Sequence, residues 1–227
     1  MRDIFINQLS LIVIVASLVL FLLAGIIWLF FNHGIDKIRH PEEWKDAGSS
    51  GERTVYNALI HELGIPKDQI LRNVYVPTKD GKTSEIDLLV VSKKGLFVLE
   101  CKNYGGNIYG NAKSRKWVQY IGNKKSFFLN PLMQNKSHVQ HLGEFIKLEV
   151  PIVPLVTTIS RGKWKIKNLS NEDHVLGINC HFKDIYNKMS ESEIIKANFE
   201  SILQTLKPLS RPGEEVRNRH ISQIKMK

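Results

Sequence analysis

Residues 11–31 (LIVIVASLVLFLLAGIIWLFF) form an apolar run without a charge, relieved only by Ser17 and Gly25. At roughly 1.5 Å per helical residue the run matches the ~30 Å hydrocarbon core of a bilayer. It is apolar all round, whereas a helix buried in a globular core carries its apolar stripe on one face. A cleavable signal peptide has a shorter apolar region and a small-residue exit, and here the exit is Trp28-Leu29-Phe30-Phe31. The pattern predicts one transmembrane segment within residues 1–32 and a juxtamembrane linker of mixed charge over 33–50. Arg2 before the span, against Lys37, Arg39 and Lys45 after it, favours a body on the cytoplasmic side.

Beyond the linker the periodicity changes. Ser49-Ser50-Gly51-Glu52 fits a Ser-x-x-Glu capping box, and Val55, Leu59 and Leu63 follow at helical spacing until Gly64 and Pro66. Residues 70–76, 85–91 and 96–102 read as strands, separated by turn chemistry at 77–82 and 92–95. Asn130-Pro131 supplies an N-cap and an N1 proline for a second helix, which places Leu132, Val139, Leu142 and Ile146 at mostly helical intervals. Residues 151–160 and 175–180 look like later strands, and Ser190-x-x-Glu193 caps a last helix striped by Ile194, Ile195, Phe199, Ile202 and Leu206. The expected class is α/β: helix, three-strand meander, helix and further strands over 51–160. An extension over 161–209 completes the core, and a charged, basic tail over 210–227 is expected to be loose.

The chain has 227 residues, room for one sizeable domain plus appendages. At 43% hydrophobic and 24% charged it is not disordered, and Cys101 and Cys180 alone make neither a disulfide framework nor a Cys-ligated zinc site. A reducing compartment fits better. Glycine-rich phosphate loops, serine elbows and dinucleotide fingerprints are absent. The net charge of +10 is unevenly placed. From Cys101 to Gly143 there is no acid, while Lys102, Lys113, Arg115, Lys116, Lys124, Lys125 and Lys136 fall within that stretch, interleaved with Tyr109, Trp117 and Tyr120. Such a stretch attracts a polyanion in a salt-dependent, sequence-independent way; nucleic acid and anionic lipid headgroups both qualify, and a solvated hairpin is the plain alternative.

If the turn at 92–95 closes a regular hairpin, Asp87 faces Glu100 and Glu85 faces Lys102. Alternation then sets Asp87, Glu100 and Lys102 on one face with Leu89 and Val98, and turns Cys101 to the other. Two opposed carboxylates about 5 Å apart repel by about 3 kcal/mol at an effective dielectric near 20. A raised pKa, the neighbouring Lys102 or a hard divalent cation would offset that repulsion. A surface salt-bridge ladder is the structural alternative.

Asp87 followed by Glu100-Cys101-Lys102 resembles the Asp…(Asp/Glu)-x-Lys signature of the restriction-endonuclease-like nucleases. With Gly51-Glu52 opening a helix, Glu85-Ile86-Asp87 on a strand, Gly95, Asn103, Gly106, Trp117, Asn130-Pro131 and Gln134, the ordered set resembles the nuclease-related domain, NERD, over about residues 51–150. The resemblance implies a restriction-endonuclease-like core, sometimes membrane-anchored. It also implies magnesium, with manganese as a substitute, on Asp87, Glu100 and the Cys101 carbonyl. Lys102 would steady a metal-bound water and the growing negative charge. Glu52 would complete the site, unless it serves only its capping box. Gln134 would contact the site or a phosphate, unless it is a solvated helix residue. Lys113, Arg115, Lys116, Lys124 and Lys125 are the candidate nucleic-acid contacts. His138 and His141 have no acid between them in sequence and are expected on the surface.

The expected function is a membrane-anchored, metal-dependent nuclease acting on DNA rather than RNA, the latter choice by analogy alone. Its rivals are a nucleic-acid-binding or membrane-scaffold module that keeps the fold and cuts nothing, and an anchor that recruits a protein through the C-terminal helix and tail.

Overall fold

The computed structural model describes residues 49–159, 162–177 and 182–225, together with Ser17 and residues 21–24. The chain divides into two units, residues 1–46 and 47–227. In the first unit Ser17 and residues 21–24 are helical. The rest of the expected span, nearly all of the linker and Cys180 lie outside the described residues. No helix among the described residues is long and apolar enough to cross a membrane.

The second unit opens with α1 (Ser49–His61), then β1 (Ile70–Pro77), β2 (Thr83–Ser92), β3 (Gly95–Lys102), β4 (Asn107–Asn111), β5 (Lys116–Ile121) and β6 (Lys124–Leu129). It continues with α2 (Pro131–Ile146), β7 (Ile152–Thr158), β8 (Trp164–Lys167), β9 (His174–Gly177), α3 (Phe182–Lys188), α4 (Glu193–Leu206) and α5 (Glu214–Lys225). Five strands form one sheet in the order β1-β2-β3-β7-β9, the first three antiparallel, with β7 joining β3 and β9 joining β7 in parallel.

Strands β2 and β3 are apolar on both faces for a reason visible in what covers them. Leu88, Val90, Phe97 and Leu99 pack under α1 and α3 through Val55, Leu59 and Phe182. Leu89, Val91, Leu96 and Val98 pack under α2 and α4 through Leu142, Ile195, Ile202, Leu203 and Leu206. Each buried aliphatic side chain contributes roughly 1.5–3 kcal/mol, so a sheet clad on both sides outweighs any one-faced arrangement of the same strands. The α/β expectation holds, with the sheet between two helical layers.

A second sheet, ordered β6-β5-β4-β8, grows from the basic stretch. One of its faces buries Trp117 and Ile108 with Leu132 of α2 and Val156 of β7. Gly110 makes room for the Trp117 ring, since a Cβ there would stand 2.6 Å from it. Asn130 caps α2 as expected: its side-chain oxygen accepts the Leu132 N–H, while its amide donates to the Ala112 and Ser114 carbonyls at 2.9 Å each. This one side chain fastens the start of α2 to the turn that bears Lys113 and Arg115.

Three local expectations change. Ser49 is already inside α1, so it does not cap that helix. Ser192, not Ser190, caps α4, its hydroxyl accepting the Ile195 N–H. The tail is not loose either, because α5 docks on β2: Thr83 Oγ1 lies 2.8 Å from His220 Nδ1, and the imidazole packs edge-on to Tyr75 at 5.3 Å. Polar contacts hold this helix, which is why no apolar stripe announced it.

Candidate active site

The β2/β3 register pairs Leu89 with Val98 and Leu88 with Leu99, as the turn at Ser92 dictates. Its paired ladder ends there, at the position before Asp87 and Glu100. Strand β3 runs on past that point with β7, which it pairs from Leu96 opposite Ile152 to Lys102 opposite Thr158, while β2 pairs with β1 from Thr83 to Val90. The expected Glu85–Lys102 pair is therefore not formed. Glu85 sits opposite Tyr75 in β1 instead, accepting the Tyr75 hydroxyl at 2.7 Å and the Asn73 amide at 3.4 Å.

Asp87 uses the gap. Its Oδ2 accepts the Cys101 backbone N–H at 2.7 Å, a bond that takes the place of a ladder rung. On the other side, Asn73 stands between the paired residues Arg72 and Val74 with φ +46°, a left-handed conformation that interrupts the β1/β2 ladder opposite Asp87. Asparagine tolerates that backbone better than most residues.

Glu100 is 1% exposed. Its Oε1 lies 2.5 Å from Lys102 Nζ, two residues along the same strand face, and its Oε2 lies 3.3 Å from His138 Nε2 on α2. The imidazole and Oε2 attract, yet they are not aligned as a hydrogen bond, and neither atom has another hydrogen-bond partner. His138 Nδ1 lies 2.7 Å from the Ser84 hydroxyl. A proton on Nε2 facing the carboxylate, with the Ser84 hydroxyl donating to Nδ1, is the tautomer this geometry favours. His138 is thus not a surface residue as the sequence suggested: it is 9% exposed and joins the acid cluster. Asn135 on the same helix, fully buried, donates to the Val98 and Leu155 carbonyls and locks α2 against β3 and β7.

Glu52 reaches the cluster from α1, whose first turn approaches β3 closely. A Cβ on Gly51 would lie 3.0 Å from the Asn103 Cβ, so glycine there is what lets Glu52 come alongside. Its carboxyl interacts with the Asn73 amide and with the charges of Glu85, Arg72 and Glu100.

The electrostatics follow from crowding acids in a low-dielectric pocket. Burial, then the charge of Glu100, push the Asp87 carboxyl well above the ordinary carboxylate range. Burial also raises Glu52, with Glu85 adding to it. Burial acts on Glu100 in the same sense, but His138 and Lys102 outweigh it and hold Glu100 low. Lys102 is driven upward by Glu100 and Asp87 despite its own burial. The Cys101 thiol is pushed well up by burial and faces the opposite side of the sheet, accepting from Thr157 Oγ1. A neutral thiol among acids is a poor metal ligand, so only the Cys101 carbonyl is a plausible donor.

The donor set suits a hard cation. Asp87 is costly to ionise alone, and Glu100 Oε2 is buried without a hydrogen-bond donor. Among the described residues no three His, Cys, Asp or Glu side chains form a group that could hold a metal. An ion here would take two carboxylates, a backbone carbonyl and water, the chemistry expected of magnesium.

A cavity of about 700 Å³ opens over this floor, lined by Asp87, Glu85, Ser84, His138, His220 and, from the second sheet and α2, Arg115, Leu129 and Gln134. Two of the anticipated nucleic-acid contacts, Arg115 and Gln134, thus share a cavity with Asp87. Lys113, Lys116, Lys124 and Lys125 are exposed on the second sheet and its turns, away from that lining. Sequence reasoning missed Ser84, Asn135, Asn73 and His220. His138 alone had a signal, since Gln134 and His138 stand one helical turn apart and share a face.

Residues 47–159 match the nuclease-related domain, NERD. An uncharacterized protein of Bacillus anthracis is 30% identical over 187 residues, covering 82% of this chain and 86% of that protein. No solved structure matches the chain.

Proposed function

The chain belongs to the nuclease-related domain family, and from that premise we propose that it is a membrane-anchored, metal-dependent nuclease that hydrolyses phosphodiester bonds in DNA. One observation carries the reading: Asp87 and Glu100 are brought together in a buried cluster with Lys102 beneath an open cavity. Asp87, Glu100 and the Cys101 carbonyl would hold magnesium, or manganese in its place. Such an ion, when bound, polarises the scissile phosphate and lowers the pKa of its water. Lys102, charged at any working pH, would face the negative charge that grows on the phosphate. Glu52 would serve as a further acid at the edge of the cluster, and Arg115 and Gln134 would hold the flanking phosphate at the cavity wall. Lys113, Lys116, Lys124 and Lys125 would add salt-dependent attraction for the backbone.

Anchoring rests on the apolar run at 11–31, whose residues 21–24 are helical with Phe21 84% exposed. Retention of the chain in membranes washed with alkaline carbonate tests it. The enzymatic reading is tested by incubating the chain with plasmid, linear duplex, single-stranded DNA and RNA, with and without magnesium or manganese, beside Lys102→Ala. Metal-dependent cleavage by the wild type and its loss in the variant are expected. Equal rates in both, or binding of every substrate without turnover, would overturn the reading and leave a scaffold module.

A further inference from the structure

The face of the second sheet that points away from Trp117 is unlike an ordinary solvated surface. Tyr109, Tyr120 and Phe127 share it, at 40%, 37% and 61% exposure. Lys125 Nζ stands 5.0 Å from the Phe127 ring centroid and 5.9 Å from that of Tyr120, and Lys165 Nζ stands 5.6 Å from that of Tyr109. Tyr109 and Tyr120 meet edge to face beside a depression of about 520 Å³ that also takes in Asn107 and Val118. No Asp or Glu occurs in β4, β5, β6 or β8. Leu129, next after Phe127 on this face of β6 and 54% exposed, lines the cavity that contains Asp87. The rings therefore form a face that continues through Leu129 into the cavity above Asp87.

We propose that this face is a binding track for single-stranded nucleic acid, on which unpaired bases stack upon Phe127, Tyr120 and Tyr109 while Lys125 and Lys165 neutralise phosphates. The inference takes its polyanion from the nuclease reading above and narrows the substrate to an unpaired strand or a strand end. Two physical facts select the single strand. Stacking needs the flat face of a base, which a duplex keeps covered, so exposed rings gain nothing from duplex DNA. The rings stand on three adjacent strands, β4, β5 and β6, and the Tyr109 and Tyr120 centroids lie 5.7 Å apart, a spacing an extended nucleotide chain can follow and a stacked duplex strand, at about 3.4 Å per step, cannot. An anionic membrane would meet the same lysines, but it gives no reason for the row to lead into the Asp87 cavity.

The experiment uses the full chain in nanodiscs of uncharged lipid, with chelator present so that nothing is cut. Fluorescence anisotropy compares labelled oligo(dT) with a duplex of equal length. Tighter binding of the single strand is expected, and Phe127→Ala, a change at an exposed position, should weaken it about tenfold or more while leaving the duplex unchanged. Phe127→Trp should retain the preference and lose emission as oligo(dT) stacks on it. Equal affinity for both forms, or equal losses on both in Phe127→Ala, would overturn the proposal. So would a blue shift of the Phe127→Trp emission in phosphatidylglycerol discs without oligonucleotide, which would mark a lipid-facing surface. A chain that shows the single-strand preference yet never cleaves would defeat the catalytic reading and leave this one standing.

Discussion

Adjacent residues of β2 begin two arrays of the same composition. Ser84 meets His138 Nδ1, and His138 Nε2 faces Glu100; Thr83 meets His220 Nδ1, and His220 Nε2 faces Glu85 at 3.5 Å. What differs is the environment of the acid. Glu85 keeps 28% of its side chain in solvent and accepts hydrogen bonds from Tyr75 and Asn73. Glu100 is sealed, shares one oxygen with Lys102 and leaves the other without a donor. Hydroxyl, imidazole and carboxylate in a row do not by themselves make a reactive centre. A satisfied, half-solvated acid fastens a helix, while a buried and incompletely satisfied acid beside a second carboxylate is poised for a cation.

The sharpest way to break this comparison is to remove each acid in turn. Glu100→Ala should abolish metal-dependent cleavage, a loss of at least about a hundredfold to a thousandfold. It should also destabilise the fold by about 3–5 kcal/mol, because Lys102 is left in a buried setting without its partner. Glu85→Ala should leave cleavage rates within a few-fold. Chemical unfolding and a plasmid-nicking assay on both variants decide it, and similar catalytic losses would erase the distinction between the two arrays.

The histidines come next in size. His220→Ala should cost about 1–2 kcal/mol of stability by releasing α5 from β2, with cleavage retained. His138→Ala should instead weaken manganese or magnesium affinity, because Glu100 loses the neighbour that helps keep it ionised. Calorimetric titration of the metal separates the two, and an unchanged metal affinity in His138→Ala would place that residue in the structural class with His220.

The sequence carried the first array only in part, for physical reasons that can be named. Asp87, Glu100 and Lys102 were legible because period-two alternation and a short turn fix register locally. The β2/β3 pairing could be extended only as far as Leu88 opposite Leu99, because no local pattern announces that the Asp87 side chain will accept the Cys101 N–H in place of a ladder rung. Asn73 reads as an ordinary strand residue in the sequence, since left-handed strain is a tertiary outcome. The basic stretch reads as polyanion-attracting, with a solvated hairpin as the alternative, and the row of rings stays hidden in it, because its strands bury one face and leave rings on the other, a pattern that exposed aromatics blur. His220 and α5 left no trace, as hydrogen bonds to Thr83 and Glu85 have no periodicity.

A smaller effect separates the two acids of the cluster by pH. Asp87 has a raised pKa in the folded chain, so above the ordinary carboxylate value the native state holds a proton that the unfolded chain has already released. Its contribution to stability therefore declines as pH rises through that window. Glu100, held low by His138 and Lys102, works the other way: its contribution is present above the ordinary glutamate value of 4.5 and is lost as pH falls. Asp87→Asn removes the first effect and keeps the second. In chelator, its unfolding midpoint should exceed that of the wild type, by a margin that widens as pH rises above the ordinary carboxylate range. Added magnesium should close the margin by stabilising only the wild type. A constant margin across pH would mean that Asp87 is ionised and already compensated by the protein.

The smallest change sharpens the comparison from the side of α1. Gly51→Ala gains about 1 kcal/mol of helix propensity but sets a methyl 3.0 Å from the Asn103 Cβ, tight enough that α1 or β3 must yield by a few tenths of an ångström. Net stability should hardly move. Asn103 directly follows Lys102, however, and Gly51 directly precedes Glu52, so the yielding falls on the buried array and not on the Thr83–His220–Glu85 array. A fall of a few-fold in kcat at unchanged KM and unchanged unfolding midpoint is the expected outcome, because it is a displacement of reacting groups and not of binding surface. If KM rises instead, the first turn of α1 belongs to the substrate-binding wall, and Glu52 should be moved there with it.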